Sequence, residues 1–154
     1  MARVLDHLDK SILEVLNRNS RLSLSEIGKQ VGISGPAVGE RIKTLINTQV
    51  INSFGVNLNL RALGYSIEAL VRIKPLSGQL RKVEKLISEG PRFMFCDRVT
   101  GEDCYIARLA LRDIAELDDV MLPLHDCAET NTSIVKSSVI KPRIPPINIK
   151  GQAE

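Results

Sequence analysis

Residues 21–48, RLSLSEIGKQVGISGPAVGERIKTLINT, constrain the fold of this chain more than any other stretch of its sequence. Ser23 and Glu26 have the spacing of a capping box, in which each side chain binds the other residue's free backbone N–H, and this predicts the start of a helix. Gly32 is placed to end that helix, because glycine adopts the left-handed conformation of a helix cap without strain. The stretch therefore begins with a short helix whose two ends are both specified.

A second helix is predicted from about Gly35 to Asn47. Ser34 can cap it through its hydroxyl, and Pro36 fits the first turn, where a missing N–H costs no hydrogen bond. Apolar residues with helical spacing predict its buried stripe, which consists of Val38, Ile42 and Leu45. Arg41 lies at the edge of that stripe. The outer face then carries Pro36, Gly39, Glu40, Lys43, Thr44 and Asn47.

Two capped helices joined by a glycine turn follow the helix-turn-helix plan, in which the second helix enters the major groove of DNA. A first helix beginning at Asp6, with Asp9 in its first turn, would complete a three-helix unit. Residues with strand character between Val50 and Val56 predict a short hairpin, or wing, after the third helix. From the pattern alone, an ordinary helical hairpin in a small core is an equal alternative.

The second half of the chain changes from helical spacing to strict alternation of apolar and polar residues. The predicted order is strand, helix, strand, strand, helix, strand, at about residues 65–74, 80–87, 92–100, 104–111, 113–124 and 129–140. That order is the ferredoxin-like βαββαβ plan, a four-stranded antiparallel sheet with two helices on one face. The other face would be open, and an apolar open face favours pairing with a second copy.

The predicted fold class is therefore α+β, with a winged helix-turn-helix followed by a ferredoxin-like domain. The boundaries expected from the sequence are a helix-turn-helix domain at residues 1–56, a linker at 57–64, a pairing and ligand-binding domain at 65–140, and a C-terminal tail at 141–154. Prolines at three positions of the tail argue against regular structure there, so it is expected to be a tail or an arm lying on a neighbour.

Length and composition exclude several classes of protein. The 154 residues are 44% hydrophobic, enough for a packed core, and the formal charge of +3 permits nucleic-acid binding without arguing strongly for it. No apolar run reaches the roughly 18–20 residues that span a bilayer, and no secretory signal is visible, so a cytoplasmic protein is expected. Three cysteines without C-x-x-C spacing argue against a metal site. No catalytic motif appears, so we expect no enzyme, no catalytic residue and no cofactor.

Several short motifs occur in a fixed order along the chain. In the first half they are Leu8-Asp9-x-x-Ile12-Leu13, Arg21-Leu22-Ser23, Glu26-Ile27-Gly28, Ile33-Ser34 and Val38-x-Glu40-Arg41-Ile42-x-x-Leu45. In the second half they are Leu63-Gly64, Val99-Thr100-Gly101 and Thr130-x-Thr132. Together they resemble the leucine-responsive regulatory protein/AsnC family of prokaryotic transcription regulators, from about residue 5 to residue 139.

The resemblance implies a homo-oligomer that binds double-stranded DNA in the cytoplasm, on the nucleoid. It implies dimers that pair through the ferredoxin-like sheet and assemble further, as far as octamers. The residues expected to contact DNA are Ser23, Ser34, Gly35, Pro36, Gly39, Glu40, Arg41, Lys43, Thr44 and Asn47. An amino acid or similar small effector is implied at the dimer interface, and the residues expected to contact it are Gly101, Glu102, Asp103, Thr130, Thr132 and Ser133.

The chain departs from the family pattern at a few of these positions. Cys104 stands where an acidic residue often precedes the aromatic of the third strand, and Asp103 lies one position earlier. Gly39 and Thr44 replace a small hydroxyl residue and a basic residue on the third helix. Gln49 replaces the glycine that usually ends that helix, so a left-handed and strained glutamine is expected there.

Two alternatives to an effector-controlled regulator stay open at this point. One is an architectural protein that wraps or bends DNA with little sequence preference, which Gly39 and Thr44 favour. The other is a ligand-binding or enzymatic ferredoxin-like domain whose helical unit binds protein.

Overall fold

The computed structural model describes residues 5–147, and its chain divides into two units. Of the described residues, 5–57 and 140–147 belong to the first, here called the N-terminal unit, and 58–139 form the second, the sheet unit. Within residues 5–147, no helix is long and apolar enough to cross a membrane.

The N-terminal unit contains three helices, α1 (His7–Arg18), α2 (Leu24–Val31) and α3 (Gly35–Asn47). Their starts are those predicted. The Ser23 hydroxyl accepts from the Glu26 N–H, while the Glu26 carboxylate accepts from the Ser23 N–H at 2.7 Å, which completes the capping box. Asp6 and Asp9 make the same reciprocal arrangement at the start of α1. Gly32 ends α2 with a φ of 79°, as the sequence predicted.

Close approach between α2 and α3 depends on Gly28. A Cβ atom built on it would lie 2.5 Å from the carbonyl oxygen of Ile33, well inside van der Waals contact. The fully buried side chains of the unit pack from all three helices and consist of Ile12, Val15, Ile27, Val38 and Leu45. The predicted apolar stripe of α3 therefore points into this core.

The predicted wing is not present: within residues 5–147, the first strand begins at Ile67. The amides of Val50 and Ile51 instead both donate to the Leu45 carbonyl, at 2.9 and 3.1 Å, and satisfy the C-terminal end of α3. Both side chains pack against the core of the N-terminal unit, so neither is available to begin a hairpin. Gln49 makes this turn with a φ of 57°, the left-handed conformation expected of it.

The sheet unit has the predicted order of elements. These are β1 (Ile67–Pro75), α4 (Leu80–Glu89), β2 (Phe93–Arg98), β3 (Tyr105–Leu111), α5 (Ala115–Met121) and β4 (Ala128–Ile134), with 3-10 turns at Arg61–Leu63 and Leu122–Leu124. The sheet is antiparallel throughout, in the order β2-β3-β1-β4. The ferredoxin-like fold is thereby confirmed, with β2 and β4 at the edges.

Two details of the strands differ from what the sequence alone predicts, namely the register of β2 and the end of β4. Uniform alternation would put Phe93 and Phe95 on one side of β2, but a bulge between them shifts the pairing by one residue. Phe93 therefore pairs with buried Leu109, whereas Phe95 pairs with Arg108. The fourth strand ends at Ile134 rather than near residue 140, and its last backbone contact with β1 is the Val135 N–H, which donates to the Glu68 carbonyl at 2.8 Å.

The C-terminal segment returns to the N-terminal unit. Residues 143–147 lie beside α1 and enclose, with Lys10, Glu14, Asn17 and Arg18, a cavity of about 900 Å³. The segment has no regular secondary structure as far as residue 147, as its prolines predicted. The rest of the predicted tail, residues 148–154, lies outside the described residues.

Candidate DNA-binding surface and effector site

The outer face of α3 is displayed as the sequence predicted. All of the polar side chains assigned to it are exposed, namely Glu40, Lys43, Thr44 and Asn47, and so is Pro36. The helix is held from behind by Val38 and Leu45, both fully buried. A rigid helix with one free polar face is the element that reads base edges in a major groove.

Two positions on this face offer fewer hydrogen-bonding groups to a ligand than their neighbours do. The Thr44 hydroxyl donates to the Glu40 carbonyl at 2.7 Å, which leaves its oxygen only as an acceptor. Gly39 has no side chain, and a Cβ added there would meet only Leu24 Cδ1, at 3.2 Å. Direct base contacts from α3 therefore fall mainly to Glu40, Lys43 and Asn47.

Arg41 faces α1 instead of the open face of α3. Its Nη1 lies 2.8 Å from both Asp6 Oδ2 and Asp9 Oδ1, and the Asp9 side chain is only 2% exposed. The hydrogen bond from the Asp9 N–H, together with Arg41, holds the pKa of Asp6 below its ordinary value. The structure thus gives Arg41 the role of joining α3 to the capped start of α1.

The two serines expected to hold phosphates both cap helices. The Ser34 oxygen accepts from the Ala37 N–H at 3.4 Å, so the start of α3 keeps N–H groups and a positive dipole end on the surface. Ser23 is more committed, since its hydroxyl lies 2.6 Å from the Glu26 carboxylate. Hydrogen bonds from Ser23 hold the pKa of Glu26 below its ordinary value. Of the two, Ser34 has the geometry better suited to an anion, while Gly35 lies half-buried against Ser25.

The residues expected at the effector site lie at one end of the sheet. Gly101 and Glu102 are exposed at the tip of the β2–β3 connection, which the Val99 N–H closes on the Cys104 carbonyl at 2.8 Å. Asp103 turns toward β1, where its carboxylate lies 3.7 Å from Arg72 Nε. Cys104 follows with a φ of 60°, a conformation that the sequence did not lead us to expect.

Thr130 reaches the same end of the sheet from the other edge. It pairs with Ile73, which pairs in turn with Tyr105 at the start of β3. Two strand spacings, roughly 10 Å, therefore separate Thr130 from the beginning of β3. Thr132 shares the helix-covered face with Thr130, whereas Ser133 pairs with Leu70 and points to the open face. The structure brings the loop and the threonines to one end of the sheet, but the Asp103 carboxylate and Ser133 lie on its open face and the two threonines on its helix-covered face.

The open face of the sheet is more charged than expected. Leu70 and Ile106 are its central apolar residues, and ion pairs surround them. These pairs are Arg72 with Asp103, Lys74 with Glu129, and Arg108 with Glu68, the last at 3.1 Å without hydrogen-bond geometry. A copy pairing here would meet a mixed surface.

Other contacts of the sheet unit were not anticipated from the sequence. The Glu84 carboxylate accepts from the Tyr105 hydroxyl at 2.6 Å, and the Glu116 carboxylate accepts from Arg92 Nε at 2.6 Å. Arg92 also lies over the Tyr65 ring, with its guanidinium carbon 5.3 Å from the ring centroid. The residues in these contacts are 21 to 27 positions apart in the sequence, so the contacts form only once the strands and helices have packed together.

The three cysteines, Cys96, Cys104 and Cys127, are free thiols, and Cys127 is buried. Within residues 5–147, no cluster of three or more histidine, cysteine, aspartate or glutamate side chains is arranged to hold a metal ion.

Comparison with known families assigns both halves of the chain. Residues 5–46 match the AsnC-type helix-turn-helix domain, and residues 68–145 match the Lrp/AsnC ligand binding domain. The chain belongs to the Lrp/AsnC family of transcription regulators. The first match covers α1 to α3 as far as Ile46, and the second covers β1 from Glu68 onward and the other three strands.

Individual Lrp/AsnC proteins support the assignment over most of their length. An uncharacterised regulator of Pyrococcus horikoshii, PH1692, is 33% identical over 134 residues, covering 85% of this chain and 90% of its own. Bacillus subtilis LrpC is 26% identical over 135 residues, which are 88% of this chain and 94% of LrpC. The solved LrpC structure superposes with a TM-score of 0.86 over 91% of this chain and 100% of its own.

A more distant neighbour shares the fold. The regulator NMB0573 of Neisseria meningitidis, solved as a complex with L-Met, has a TM-score of 0.86 at 21% identity, over 94% of this chain and 97% of its own. The named relatives are transcriptional regulators.

Proposed function

We propose that this Lrp/AsnC regulator binds double-stranded DNA through α3, as a homo-oligomer, and that an amino acid or similar small effector modulates its oligomeric state or its affinity for DNA. The observation that carries the proposal is the exposed polar face of α3, displayed on a helix fixed by Gly28, Arg41 and a buried apolar core. Such a protein would act on nucleoid DNA in the cytoplasm.

Each exposed group of α3 has a definite use in this proposal. Asn47 has the donor and acceptor that match adenine, and Glu40 accepts from the amino group of cytosine. Lys43 reaches either a guanine edge or a phosphate. Ser34 and the first N–H groups of α3 hold a backbone phosphate and fix the register of the helix on the duplex. The α3 surface thus combines base contacts with one anchoring contact.

Assembly and effector binding belong to the sheet unit in this proposal. Two copies pair through the open face around Leu70 and Ile106, and dimers then assemble further, as far as octamers. The effector binds at the end of the sheet that carries the loop residues Gly101 to Asp103 and the threonines of β4. An effector that binds one arrangement of the oligomer better than another shifts the population toward that arrangement.

A second candidate function, DNA wrapping with little sequence preference, has specific support. Thr44 has its hydroxyl proton bonded to the Glu40 carbonyl, Gly39 has no side chain, and Arg41 is paired with α1. Few base-reading groups remain on each copy, so binding would depend more on phosphate contacts and on the number of copies. Competition with unrelated DNA separates the two candidates. The ratio of the affinity for a target sequence to the affinity for unrelated DNA should be near one for a wrapping protein and about 10³ or more for a regulator.

The direct test is Lys43→Ala, with Lys85→Ala on α4 as a control that removes the same charge. In a fluorescence-anisotropy titration of duplex DNA at several salt concentrations, Lys43→Ala should weaken binding and lower the salt slope by about one ion. Lys85→Ala should leave both unchanged. Equal behaviour of the two variants would show that α3 does not face DNA.

A further inference from the structure

The chain enters the sheet unit through a hydrogen-bonded turn. The Asn59 side-chain oxygen accepts from the Arg61 N–H at 3.1 Å, at the start of the first 3-10 turn. The Tyr65 N–H then closes the turn on the Leu60 carbonyl at 2.9 Å. We call residues 59–66 the root turn, because the segment that leads to the N-terminal unit begins there.

Tyr65 is held in place by a side chain that comes from just before β2. Arg92 Nη1 donates to the Tyr65 hydroxyl at 3.3 Å, and the guanidinium group lies over the same ring. Arg92 Nε donates in turn to the Glu116 carboxylate at 2.6 Å, and the side chains of Arg92 and Glu116 are each only 18% exposed. The position of the Tyr65 ring therefore depends on a largely buried ion pair.

The next residue of the root turn is connected to the same carboxylate by a second route. The Ser66 hydroxyl donates to the Arg112 carbonyl, and the Arg112 N–H donates to the Glu116 carboxylate at 2.6 Å. Glu116 thus holds Tyr65 through Arg92 and holds Ser66 through Arg112. These contacts form a closed ring, which fixes the direction of the root turn from two sides.

The free part of the connection between the units is short as a result. On the side of the N-terminal unit, the Ile51 N–H is bonded to the Leu45 carbonyl. Residues 52–58 lie between Ile51 and the root turn, and they are exposed and without regular secondary structure. A random chain of these seven residues has a root-mean-square length of roughly 15 Å, against roughly 20 Å if the chain were free as far as β1.

We propose that Tyr65 and Arg92, held by Glu116, are positioning residues for DNA binding. By fixing the root turn, they limit how far the N-terminal unit can move from the sheet unit that pairs with a second copy. They thereby narrow the range of half-site spacings that one pair of copies can bind. The inference rests on the proposed function, because it requires that α3 binds DNA and that two sheet units pair.

The dimensions of DNA give the expected size of the effect. Base pairs are stacked about 3.4 Å apart, and half-sites read by paired helices lie about one helical turn, or a multiple of it, apart. A gain of roughly 5 Å in the reach of each copy corresponds to one or two base pairs. Loss of the root turn should therefore broaden the accepted spacing by about two base pairs.

The first measurement is hydrogen–deuterium exchange of the full chain, followed by mass spectrometry without DNA. In the wild type, the N–H groups of residues 63–65 are bonded to carbonyls of the same segment, so a peptide that covers them should exchange slowly. Arg92→Met should speed this exchange about tenfold or more, while peptides from the middle of β1 stay within about twofold of the wild type. Arg81→Met, which removes an exposed cation from α4, is the matched control and should change neither.

The second measurement is the affinity for DNA as a function of half-site spacing. The probe is a duplex that the wild type selects from a random library, with one to five base pairs then inserted or removed between its half-sites. Wild-type affinity should fall about tenfold or more at two base pairs from the optimum, whereas Arg92→Met and Tyr65→Ala should lose less than about threefold there. Tyr65→Phe keeps the ring under the guanidinium group and should lie closer to the wild type. A merely structural defect would instead lower affinity at every spacing.

Three results would overturn the proposal. Unchanged exchange of the root turn in Arg92→Met would show that Arg92 does not hold it. Faster exchange with an unchanged spacing profile would show that the root turn does not position the DNA-binding unit. A wild type that binds DNA without selecting any half-site would leave no spacing to be set. The proposed function is judged separately, since it fails if Lys43→Ala and Lys85→Ala bind DNA alike.

Discussion

The two candidate sites of this protein are built in opposite ways. The proposed base-reading residues lie within α3, so one element of 13 residues carries nearly all of them. The proposed effector residues come from a loop and from a strand that starts 25 residues beyond it in the sequence. The pairing of β3, β1 and β4 brings them to the same end of the sheet. The helical site is therefore set by how α3 is anchored, and the sheet site is set by register and loop conformation.

The largest effect should come from the anchoring of α3. We expect Gly28→Ala to lower the free energy of unfolding by about 2–3 kcal/mol, because its Cβ would collide with the rigid Ile33 carbonyl. Gly39→Ala is the matched variant, since its Cβ meets only the end of the Leu24 side chain and adds up to ~1 kcal/mol of helix propensity. Urea denaturation followed by circular dichroism measures both. A Gly28→Ala variant as stable as wild type would show that α2 and α3 are not closely packed there.

Arg41 should have the next largest effect, and on stability more than on DNA contacts. Arg41→Met should lower the free energy of unfolding by about 2 kcal/mol, because it removes the guanidinium from the buried Asp9 carboxylate. Lys43→Met, on the exposed face of the same helix, should change stability by less than about 0.5 kcal/mol. If the two variants were equally stable, the ion pairs of Arg41 with α1 would not contribute in solution.

Backbone strain offers a comparison with one residue in each unit. Gln49 and Cys104 both have a left-handed backbone, with φ of 57° and 60°. A residue with a side chain costs roughly 1–2 kcal/mol in that conformation, and the greater chain entropy of glycine offsets part of the gain. Gln49→Gly and Cys104→Gly should each raise the free energy of unfolding by about 0.5 kcal/mol. Thermal denaturation alongside Gln49→Ala and Cys104→Ala, which keep the strain, provides the measurement.

The smallest effect concerns pH. A hydrogen bond from the Asp9 N–H and then Arg41 lower the pKa of Asp6, and the Arg112 N–H and then Arg92 lower the pKa of Glu116. The unfolded chain therefore binds more protons than the folded chain in acid, so this stabilisation is present above about pH 4 and is lost as pH falls through the lowered values. Asp6→Asn and Glu116→Gln should each flatten the decline in stability between pH 5 and pH 2. An unchanged slope in either variant would contradict the lowered pKa of that carboxylate.

The prediction of the helical unit succeeded where signals were local. Ser23, Gly32 and Ser34 mark helix ends through contacts with residues at most a few positions away, and all three behave as expected. The predicted wing was wrong because strand propensity does not decide the conformation of Val50 and Ile51. Their N–H groups instead bond to the end of α3, and their side chains pack against the core. Arg41 was placed at the edge of the buried stripe, but its partners on α1 are more than 30 residues away.

The sheet unit was predicted well in its order of elements and less well in its details. Alternation over the first predicted strand gives it one buried face, and in β1 every second residue from Ala69 to Ile73 is fully buried. The bulge in β2 has no marker in the sequence, so the one-residue shift in pairing between Phe93 and Phe95 could not be predicted. The register of β4 then decides that Thr130 and Thr132 share a face and that Ser133 does not, which a list of polar residues along one strand does not reveal.

By itself, the sequence determined the two-part architecture, the ends of the helices, the exposed face of α3 and the family, because these depend on short periodic patterns and ordered motifs. Tertiary structure alone decided that Arg41 joins α3 to α1, that Cys104 is left-handed, and that Arg92 joins Tyr65 to Glu116. The physical reason is the distance along the chain. Contacts between residues close in sequence are restricted by backbone geometry, whereas contacts between distant residues exist only after packing and strand register have been chosen.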